Sequence, residues 1–286
     1  MDESETRGER MLLAVDVGNT TTRFGLFEDG SADAEPLGTW EITTPARMTA
    51  DEARLAATRA VAALSPAASE STEVHPLAAI LSCVVPSLEA AWTQALTALC
   101  LSRPLVVGPG LKTGIRLSYD DPSEVGSDRI ADAVAARERY GAPAIVVDLG
   151  TTTNIEVIDA TGAFAGGLIA PGLALGARSL ADAAARLPMV DVRAPRHVIG
   201  KSTREAMRSG IVLGEAARID GLLDMVGAEL TVGEPGSDAP DDPRLPIVLT
   251  GDDAAAMAAI LRHHVAVDDT ITLRGLAILH RINSRK

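Results

Sequence analysis

The sequence predicts an α/β protein built from two similar halves, each with a mixed β-sheet at its centre. The first observation behind this prediction is a repeated motif, which reads V-D-V-G-N-T-T-T at Val15–Thr22 and V-D-L-G-T-T-T-N at Val147–Asn154. The second is that apolar runs typical of buried strands alternate with segments of helical apolar spacing. The third is the order of these elements, because three strands followed by alternating helices and strands occur twice.

The first half opens with strands. Met11–Val17 is a near-continuous apolar run, which indicates a buried strand, and Thr22–Phe27 follows as its hairpin partner. The later elements are a strand at Pro36–Thr43, a helix at Asp51–Leu64, a strand at Leu77–Val85, a helix at Ser87–Leu99 with Ser87 as N-cap, a short strand at Leu105–Val107, a turn-rich stretch at Gly108–Gly126 and a helix at Ser127–Tyr140.

The second half repeats this order. Its predicted elements are strands at Ala144–Asp148, Ile155–Asp159 and Ala163–Ile169, helices at Leu173–Arg186 and Thr203–Leu230, a surface loop at Thr231–Pro246, a strand at Ile247–Thr250, and helices at Asp253–His263 and Leu273–Ile282. The order resembles that of the actin-like ATPases, the superfamily of acetate and sugar kinases, Hsp70 and actin. We therefore expect a disordered tail over 1–10, an N-terminal actin-like domain over 11–142 and a C-terminal one over 143–286, divided near Pro143.

Composition limits the partners. The net charge of −13 argues against a nucleic acid or an anionic membrane surface as partner, and no apolar run is long enough for a membrane span. Cys83 and Cys100 lie in apolar surroundings without metal-ligand spacing, so we predict buried thiols rather than a disulfide or a zinc site. The charged N-terminus lacks the apolar region of a signal peptide, and together these features predict a cytoplasmic protein.

The repeated motif has the chemistry of a phosphate-binding hairpin. Its glycine lets the backbone approach an oxyanion, its threonines and backbone amides donate hydrogen bonds, and its aspartate holds a cation or the cation's water. A single D-x-G-x-T is a common turn between strands, but two in matching halves predict two hairpins closing on one nucleotide. An ungapped alignment matches Asp16 with Asp148, Gly18 with Gly150 and Thr20 with Thr152.

A second candidate segment, Tyr119–Arg129, reads Y-D-D-P-S-E-V-G-S-D-R where a loop becomes a helix. Ser127 is a good N-cap, and Asp128 in the first turn is favoured by the helix dipole. A capped helix with a solvated Arg129 explains these residues equally well, so their spacing leaves a functional role open. The same holds for Gly166–Gly172, which could line an adenine or ribose pocket or simply connect a strand to a helix.

Taken together, these motifs resemble the type III pantothenate kinases, also called the Bvg accessory factor family. The match runs from D-V-G-N-T-T-T at Asp16 to L-R-G-L at Leu273. The landmarks between them are L-S-C-V-V-P at Leu81, Y-D-D-P-S-E-V-G-S-D-R at Tyr119, D-L-G-T-T-T at Asp148, G-G-L-I-A-P-G at Gly166, I-G-K-S-T-R-E-A-M-R-S-G-I at Ile199 and L-T-G at Leu249. The combination is specific although several members are weak alone.

The resemblance implies phosphorylation of pantothenate by ATP, the first step of coenzyme A synthesis, with Asp128 as proton acceptor. It also implies that Asp16 helps to place Mg²⁺, that Asp148 holds K⁺ or NH₄⁺, and that Thr203 reaches the pantothenate of the neighbouring subunit in a homodimer. The implied ATP-binding residues are Asp16, Val17, Gly18, Asn19, Thr20, Thr21, Thr22, Arg23 and Thr151. The implied pantothenate-binding residues are Tyr119, Gly126, Ser127, Asp128, Arg129 and Thr203.

Four residues depart from the pattern of that family. Ser127 stands where Ala is usual, Asp121 replaces Asn, Asn154 replaces Thr or a similar residue, and Asp252 replaces the second glycine of T-G-G. We expect Asp121 to weaken the binding of an anionic substrate and Asp252 to affect ATP affinity. Two alternatives stay open: a kinase of the same superfamily acting on a sugar or another small alcohol, and a catalytically weak or inactive nucleotide-binding regulator.

Overall fold

The chain folds into two compact units. The computed structural model describes residues 11–28, 35–65, 78–100, 102–230 and 245–284. Of these, the first unit holds the residues between 11 and 115, residues 120–135 and residues 270–284, and the second holds residues 116–119 and 136–269. The predicted tail at 1–10 lies outside the described residues, as do residues 231–244 of the predicted surface loop.

The first unit is built on a five-stranded sheet. Its strands are β1 (Met11–Val17), β2 (Thr21–Glu28), β3 (Gly38–Thr43), β4 (Ala78–Cys83) and β5 (Leu105–Val106), arranged in the order β3-β2-β1-β4-β5. β2 runs antiparallel to β1 and β3, whereas β4 is parallel to β1 and to β5. The apolar run of the central strand, β1, is buried almost throughout, which explains why it lacks the alternation of a half-exposed strand.

Helices α1 (Ala50–Leu64) and α2 (Pro86–Cys100) cover one side of this sheet. A capping box between Thr49 and Glu52 starts α1. Their apolar side chains join Leu13 and Val15 in a core in which the rings of Phe24 and Trp92 lie 5.6 Å apart. Because α2 begins at Pro86, the prediction of Ser87 as its N-cap is wrong: proline occupies the first helical turn, where its missing N–H costs no hydrogen bond.

Two further helices belong to the first unit, α3 (Ser127–Tyr140), through residue 135, and the C-terminal helix, α7 (Ile271–Ser284). They approach so closely that a Cβ on Gly275 would lie 1.9 Å from the carbonyl oxygen of Ala131. Glycine is therefore required at this contact. The C-terminal segment thus joins the compact unit that contains the N-terminal sheet, whereas the division of the chain at Pro143 into two sequence domains stays a prediction.

The second unit repeats the architecture. Its strands are β6 (Ala144–Leu149), β7 (Thr152–Ile158), β8 (Phe164–Pro171), β9 (Ile247–Thr250) and β10 (Ala266–Val267), arranged in the order β10-β9-β6-β7-β8. β7 runs antiparallel to β6 and β8, whereas β9 is parallel to β6 and to β10. Its helices are α4 (Leu173–Ala183), α5 (Thr203–Leu230) and α6 (Ala254–Ala258). The two sheets share order and strand direction, and the predicted duplicated α/β fold is confirmed.

Two helix predictions in this unit are too long. Instead of running through Asp253–His263, the helix stops after Ala258, and the missed strand β10 follows. The backbone amides of Arg262 and His263 donate to the carboxylate of Asp220 on α5, at 3.1 and 3.4 Å, in place of continuing a helical ladder. The other helix ends at Ala183 rather than Arg186. None of the helices in the described part of the chain is both long enough and apolar enough to cross a membrane.

Candidate active site

The first predicted hairpin places Asp16 at the end of β1. Strand register sets Asp16 beside Arg23 of β2 and beside Ser82 of β4, so the three side chains share one face of the sheet. Asp16 is only partly buried as a residue, but its Oδ1 atom is shielded from solvent and has no hydrogen-bond partner. This buried acceptor fits a bound cation, which would supply the missing interaction.

The environment of Asp16 favours its neutral form. The pKa of Asp16 is raised from 3.8 to about 7, mainly by burial and also by the nearby charge of Asp128, and a hydrogen bond from Ser82 and the charge of Arg23 limit this rise. Two of the predicted functional carboxylates, Asp16 and Asp128, therefore lie within electrostatic reach of each other in the first unit.

The turn after Asp16 is tight and open to solvent. The amide of Gly18 donates to the carbonyl of Thr21 at 3.0 Å, while Asn19 and Thr20 are exposed at the tip. Val17 and Thr22 instead point into the protein: Val17 belongs to the hydrophobic core, and the hydroxyl of Thr22 lies 2.8 Å from that of Thr44. Of the predicted ATP-binding side chains, those of Asn19 and Thr20 at the tip of the turn are accessible to solvent. The side chains of Val17 and Thr22 pack inside the protein.

The start of α3 brings Asp128 and Ser127 close to this hairpin. The hydroxyl of Ser127 lies 2.9 Å from that of Ser82 and does not cap the helix. The carbonyl of Gly126 accepts from Ile130, so Gly126 holds the N-cap position and the prediction of Ser127 as N-cap is wrong. A Cβ on Gly126 would lie 2.5 Å from Oδ1 of Asp128, so a side chain at position 126 would displace this carboxylate.

Asp128 is held at the N-terminus of α3 by local contacts. Its Oδ1 accepts from the backbone amide of Arg129 at 2.8 Å. Burial raises the pKa of Asp128, and the amide and the charge of Arg129 partly offset that rise. Arg129 itself is buried, contrary to the solvated side chain expected for a purely structural helix start. A half-buried carboxylate with a raised pKa beside a buried guanidinium suits proton acceptance from an alcohol and binding of an anionic group.

The second hairpin, in the second unit, is a one-residue-shorter copy of the first. Strand register places Asp148 beside Asn154 of β7 and beside Thr250 of β9. Asp148 therefore matches Asp16, whereas Asn154 takes the place of Arg23 and Thr250 that of Ser82. Because the turn of the second hairpin is one residue shorter, the strand register matches Thr20 with Thr151, whereas the ungapped alignment matches Thr20 with Thr152.

Asp148 also has features of a cation site. Its two carboxylate oxygens lie 3.8 Å from the position that a Cβ on Gly150 would occupy, so the carboxylate lies along the turn. The hydroxyl of its register neighbour, Thr250, is buried without a hydrogen-bond partner. Thr151 is exposed at the tip of the turn. Among the residues that the structure describes, no group of three or more His, Cys, Asp and Glu side chains is arranged to hold a metal, so a cation here would also need backbone or ligand oxygens.

The remaining predicted residues, Tyr119 and Thr203, also belong to the second unit. The ring of Tyr119 lies 6.1 Å from that of Phe164, and the amide of Ser118 donates to the carbonyl of Phe164 at 2.8 Å. Thr203 is the first residue of α5 and is exposed. Beside it, Val198 and Ile199 are 75% and 81% exposed, which is unusual for apolar side chains of this size.

Comparison with known proteins decides the family. The family model described as type III pantothenate kinase matches residues 12–225, a range that includes both hairpins and the start of α3. The chain belongs to the type III pantothenate kinase family.

Relatives within this family match the chain over nearly its whole length. The type III pantothenate kinase of Rhodospirillum centenum is 40% identical over 283 residues, which cover 96% of this chain and all of the relative. The type III pantothenate kinase 2 of Symbiobacterium thermophilum is 38% identical and covers 94% of this chain and 96% of the relative. The crystal structure of a conserved Baf family protein from Campylobacter jejuni, 17% identical with a TM-score of 0.57 over 96% of this chain and all of that one, supports the fold alone.

The positions that depart from the type III pantothenate kinase pattern lie in different settings. Asp121 is exposed and caps a 3₁₀ turn by accepting from the amide and hydroxyl of Ser123 at 2.9 and 2.6 Å. Asp252 is exposed, directly after Gly251. Asn154 is buried and accepts from the hydroxyl of Thr152 at 3.2 Å. Ser127 contacts Ser82, a residue that the sequence reasoning did not single out.

The position of Ser82 near the end of a predicted strand was the one feature of the sequence that indicated a place in the site. Ser82 ends a strand that is parallel to β1, and parallel strands end at one edge of a sheet. A hydroxyl at the end of β4 is therefore placed beside the aspartate at the end of β1. Recognising this required the pairing of two strands that lie 60 or more residues apart along the chain, which periodicity alone does not supply.

Proposed function

We propose that this chain transfers the γ-phosphoryl group of ATP to the primary alcohol of pantothenate, giving ADP and 4′-phosphopantothenate in the first step of coenzyme A synthesis. The single observation that carries this proposal is that Asp128, half-buried at the start of α3, lies within electrostatic reach of Asp16 at the end of the first hairpin in the same unit. Family membership supports the identity of both substrates.

Asp128 orients the attacking alcohol and accepts its proton. The alcohol oxygen forms a bond to the γ-phosphorus while the bond from that phosphorus to ADP breaks, and the alcohol proton passes to a carboxylate oxygen of Asp128. Because the transition state is loose, the alcohol loses its proton late, and a carboxylate is a strong enough base. The raised pKa of Asp128 makes it a better acceptor than an exposed aspartate. Arg129 pairs with the carboxylate of pantothenate, for which its planar guanidinium is suited.

The residues from Asp16 to Arg23 bind the phosphates of ATP. The exposed turn offers backbone amides and the side chains of Asn19 and Thr20, and Arg23 adds positive charge next to Asp16. Asp16 would hold Mg²⁺, directly or through water, and its buried Oδ1, which has no hydrogen-bond partner, supports this role. When bound, Mg²⁺ neutralises charge on the phosphates.

In the second unit, Asp148 would hold a monovalent cation, K⁺ or NH₄⁺, and Thr151 would contact ATP. The buried hydroxyl of Thr250 beside Asp148 supports a cation at this position, since it is an oxygen ligand without another partner. Such a cation adds positive charge toward the nucleotide. The second hairpin needs this charge because Asn154 replaces the arginine of the first hairpin.

Tyr119 and Gly126–Arg129 bind pantothenate, and Thr203 reaches the pantothenate of a neighbouring subunit in a homodimer. The exposed apolar side chains of Val198 and Ile199 next to Thr203 support burial of this surface against a second copy. We place the enzyme in the cytoplasm, to which the free thiols of Cys83 and Cys100 are suited. Its net charge of −13 argues against nucleic-acid and membrane partners.

The test is a coupled assay of ADP release with purified protein, Mg²⁺, K⁺, ATP and either pantothenate or a panel of sugars. We expect ADP release that depends on pantothenate, and formation of phosphopantothenate detected by mass spectrometry. The proposal would be refuted by ADP release with a sugar in place of pantothenate. It would also be refuted by nucleotide binding without turnover at about 1 mM pantothenate, a concentration at the upper end of typical KM values.

A further inference from the structure

The two hairpins differ in how their buried threonine is held. Thr22 on β2 and Thr153 on β7 occupy matching register positions, each one residue before the neighbour of the hairpin aspartate. In the first unit, the hydroxyl of Thr22 lies 2.8 Å from that of Thr44. In the second unit, the position that matches Thr44 is Gly172, which has no side chain.

Helix α5 supplies the missing partner. The hydroxyl of Thr153 donates to Oε1 of Glu215 at 2.6 Å, and this carboxylate is buried. The other oxygen of Glu215 forms an ion pair with Arg218, one turn further along α5. A buried carboxylate is retained only where partners satisfy it, and here both oxygens have one.

Arg218 extends the contact to the next strand end. Its Nη2 atom donates to the carbonyl oxygen of Pro171 at 2.6 Å, at the end of β8. The following residue, Gly172, donates its amide to the carbonyl of Thr151 at 3.2 Å. A Cβ on Gly172 would lie 2.4 Å from the carbonyl oxygen of Gly150, so this residue lies directly against the turn of the second hairpin.

We propose that Glu215 and Arg218 are positioning residues for nucleotide binding, which fix the Gly150–Thr152 turn through Thr153 on one side and through Pro171 and Gly172 on the other. This inference rests on the proposed function, because the turn must bind ATP for its position to matter. Neither residue is proposed to contact the nucleotide. They act by keeping the turn in the one conformation that its backbone donors require.

The main test variant is Arg218→Gln, since this side chain is about one-third exposed and its replacement leaves the core intact. We expect the dissociation constant of Mg-ADP, measured by isothermal titration calorimetry, and the KM for ATP each to rise about 5–20-fold, while kcat and the KM for pantothenate stay within about twofold. Arg218→Lys should recover most of the affinity, because an ammonium group also donates to the carbonyl of Pro171.

Two controls separate positioning from general stability. The double variant E215Q/R218Q removes both charges together, so it leaves no unpaired buried carboxylate, yet it still lacks the donor to Pro171 and should bind Mg-ADP as weakly as R218Q. Arg54→Gln removes an exposed ion pair of the same i,i+3 spacing, with Asp51 on α1, and should leave Mg-ADP binding unchanged.

The inference is overturned if R218Q and the double variant bind Mg-ADP as tightly as the unchanged protein, whatever their melting temperatures, or if kcat falls while the affinity does not. This outcome is distinct from failure of the proposed function. If the unchanged protein phosphorylated no pantothenate, the proposed function would fail, but the Mg-ADP affinities of the variants would still decide whether the two residues position the turn.

Discussion

The hydroxyl of Ser82 lies 2.9 Å from the hydroxyl of Ser127, and this contact joins the end of β4 to the first turn of α3. Ser82 also hydrogen-bonds to Asp16, so the chain of contacts links one proposed functional carboxylate to the helix that carries the other, Asp128. The two serines are not equivalent, because only Ser82 contacts Asp16 directly.

This difference predicts unequal effects of two single substitutions. Ser82→Ala removes the donor to Asp16 and should lower kcat/KM for ATP about tenfold, the loss expected for a hydrogen bond to a charged group. Ser127→Ala leaves the bond from Ser82 to Asp16 in place, so at saturating pantothenate it should change kcat/KM for ATP about twofold or less. Steady-state kinetics of both variants provide the check, with S127A as the matched control. Equal losses in the two variants would contradict the assignment.

Asp16 predicts a pH-dependent effect on stability. Its folded-state pKa of about 7 lies above the value of 3.8 expected when unfolded, so between these values the folded protein holds a proton that the unfolded chain has lost. Stability from Asp16 is therefore lost as the pH rises through about 7. Without nucleotide and metal, Asp16→Asn should raise the melting temperature by about 3–6 °C at pH 8 and by less than about half as much at pH 5, where only part of the penalty has accumulated.

Thermal unfolding with Asp51→Asn, an exposed carboxylate on α1, as control checks this prediction. The control should show no such difference between the two pH values. A destabilised D16N at pH 8, or the same shift at both pH values, would mean that Asp16 is not strained by burial in the absence of a cation.

His263 predicts a stability effect away from the site. This buried side chain has Nδ1 2.8 Å from Oδ1 of Asp220 and Nε2 3.1 Å from Oδ1 of Asp224, both on α5. Its replacement leaves Asp220 buried with fewer partners, so His263→Ala should cost about 2–4 kcal/mol in the free energy of unfolding. The exposed neighbour His264 is the control, and H264A should cost less than about 0.5 kcal/mol. Urea titrations measure both, and similar losses would contradict the account.

Asp121 predicts a small effect on substrate binding. The sequence suggested that its negative charge weakens the binding of pantothenate, but the side chain is exposed and serves as the cap of a 3₁₀ turn. Hydrogen bonds to Ser123 lower its pKa, so the carboxylate is ionised but screened by water and salt. Asp121→Asn should keep the cap and alter the KM for pantothenate by about twofold or less. A drop of about tenfold would restore the original expectation.

Local patterns predicted most of the fold. The apolar runs of β1 and β6 and the spacing of α5 are strong because each element is buried along its length or along one face. The repeated hairpins were visible as sequence because each depends on adjacent residues. The error at Asp253–His263 has a distant cause: Asp220, on another helix, captures the backbone amides that would have extended the helix.

Only part of the candidate site has a local signal in the sequence. Asp16 and Asp128 stand in recognisable local motifs, and the structure brings them within reach of each other. Glu215 carries no such local signal, and Ser82 is indicated only by its position at the end of a strand, because their contacts with Thr153 and Asp16 depend on the packing of α5 and on strand pairing. Thr44 in the first half and Gly172 in the second occupy equivalent positions, and this equivalence follows from the strand register rather than from an ungapped alignment of the two motifs.

The proposed mechanism has Asp128 accept the proton of the pantothenate alcohol. Its most direct test is kcat of Asp128→Asn at saturating ATP and pantothenate, with Mg-ADP affinity measured on the same sample to confirm an intact nucleotide site. We expect kcat to fall about 10²-fold or more while Mg-ADP binds as before. A variant that turns over pantothenate at the unchanged rate would remove Asp128 from the mechanism.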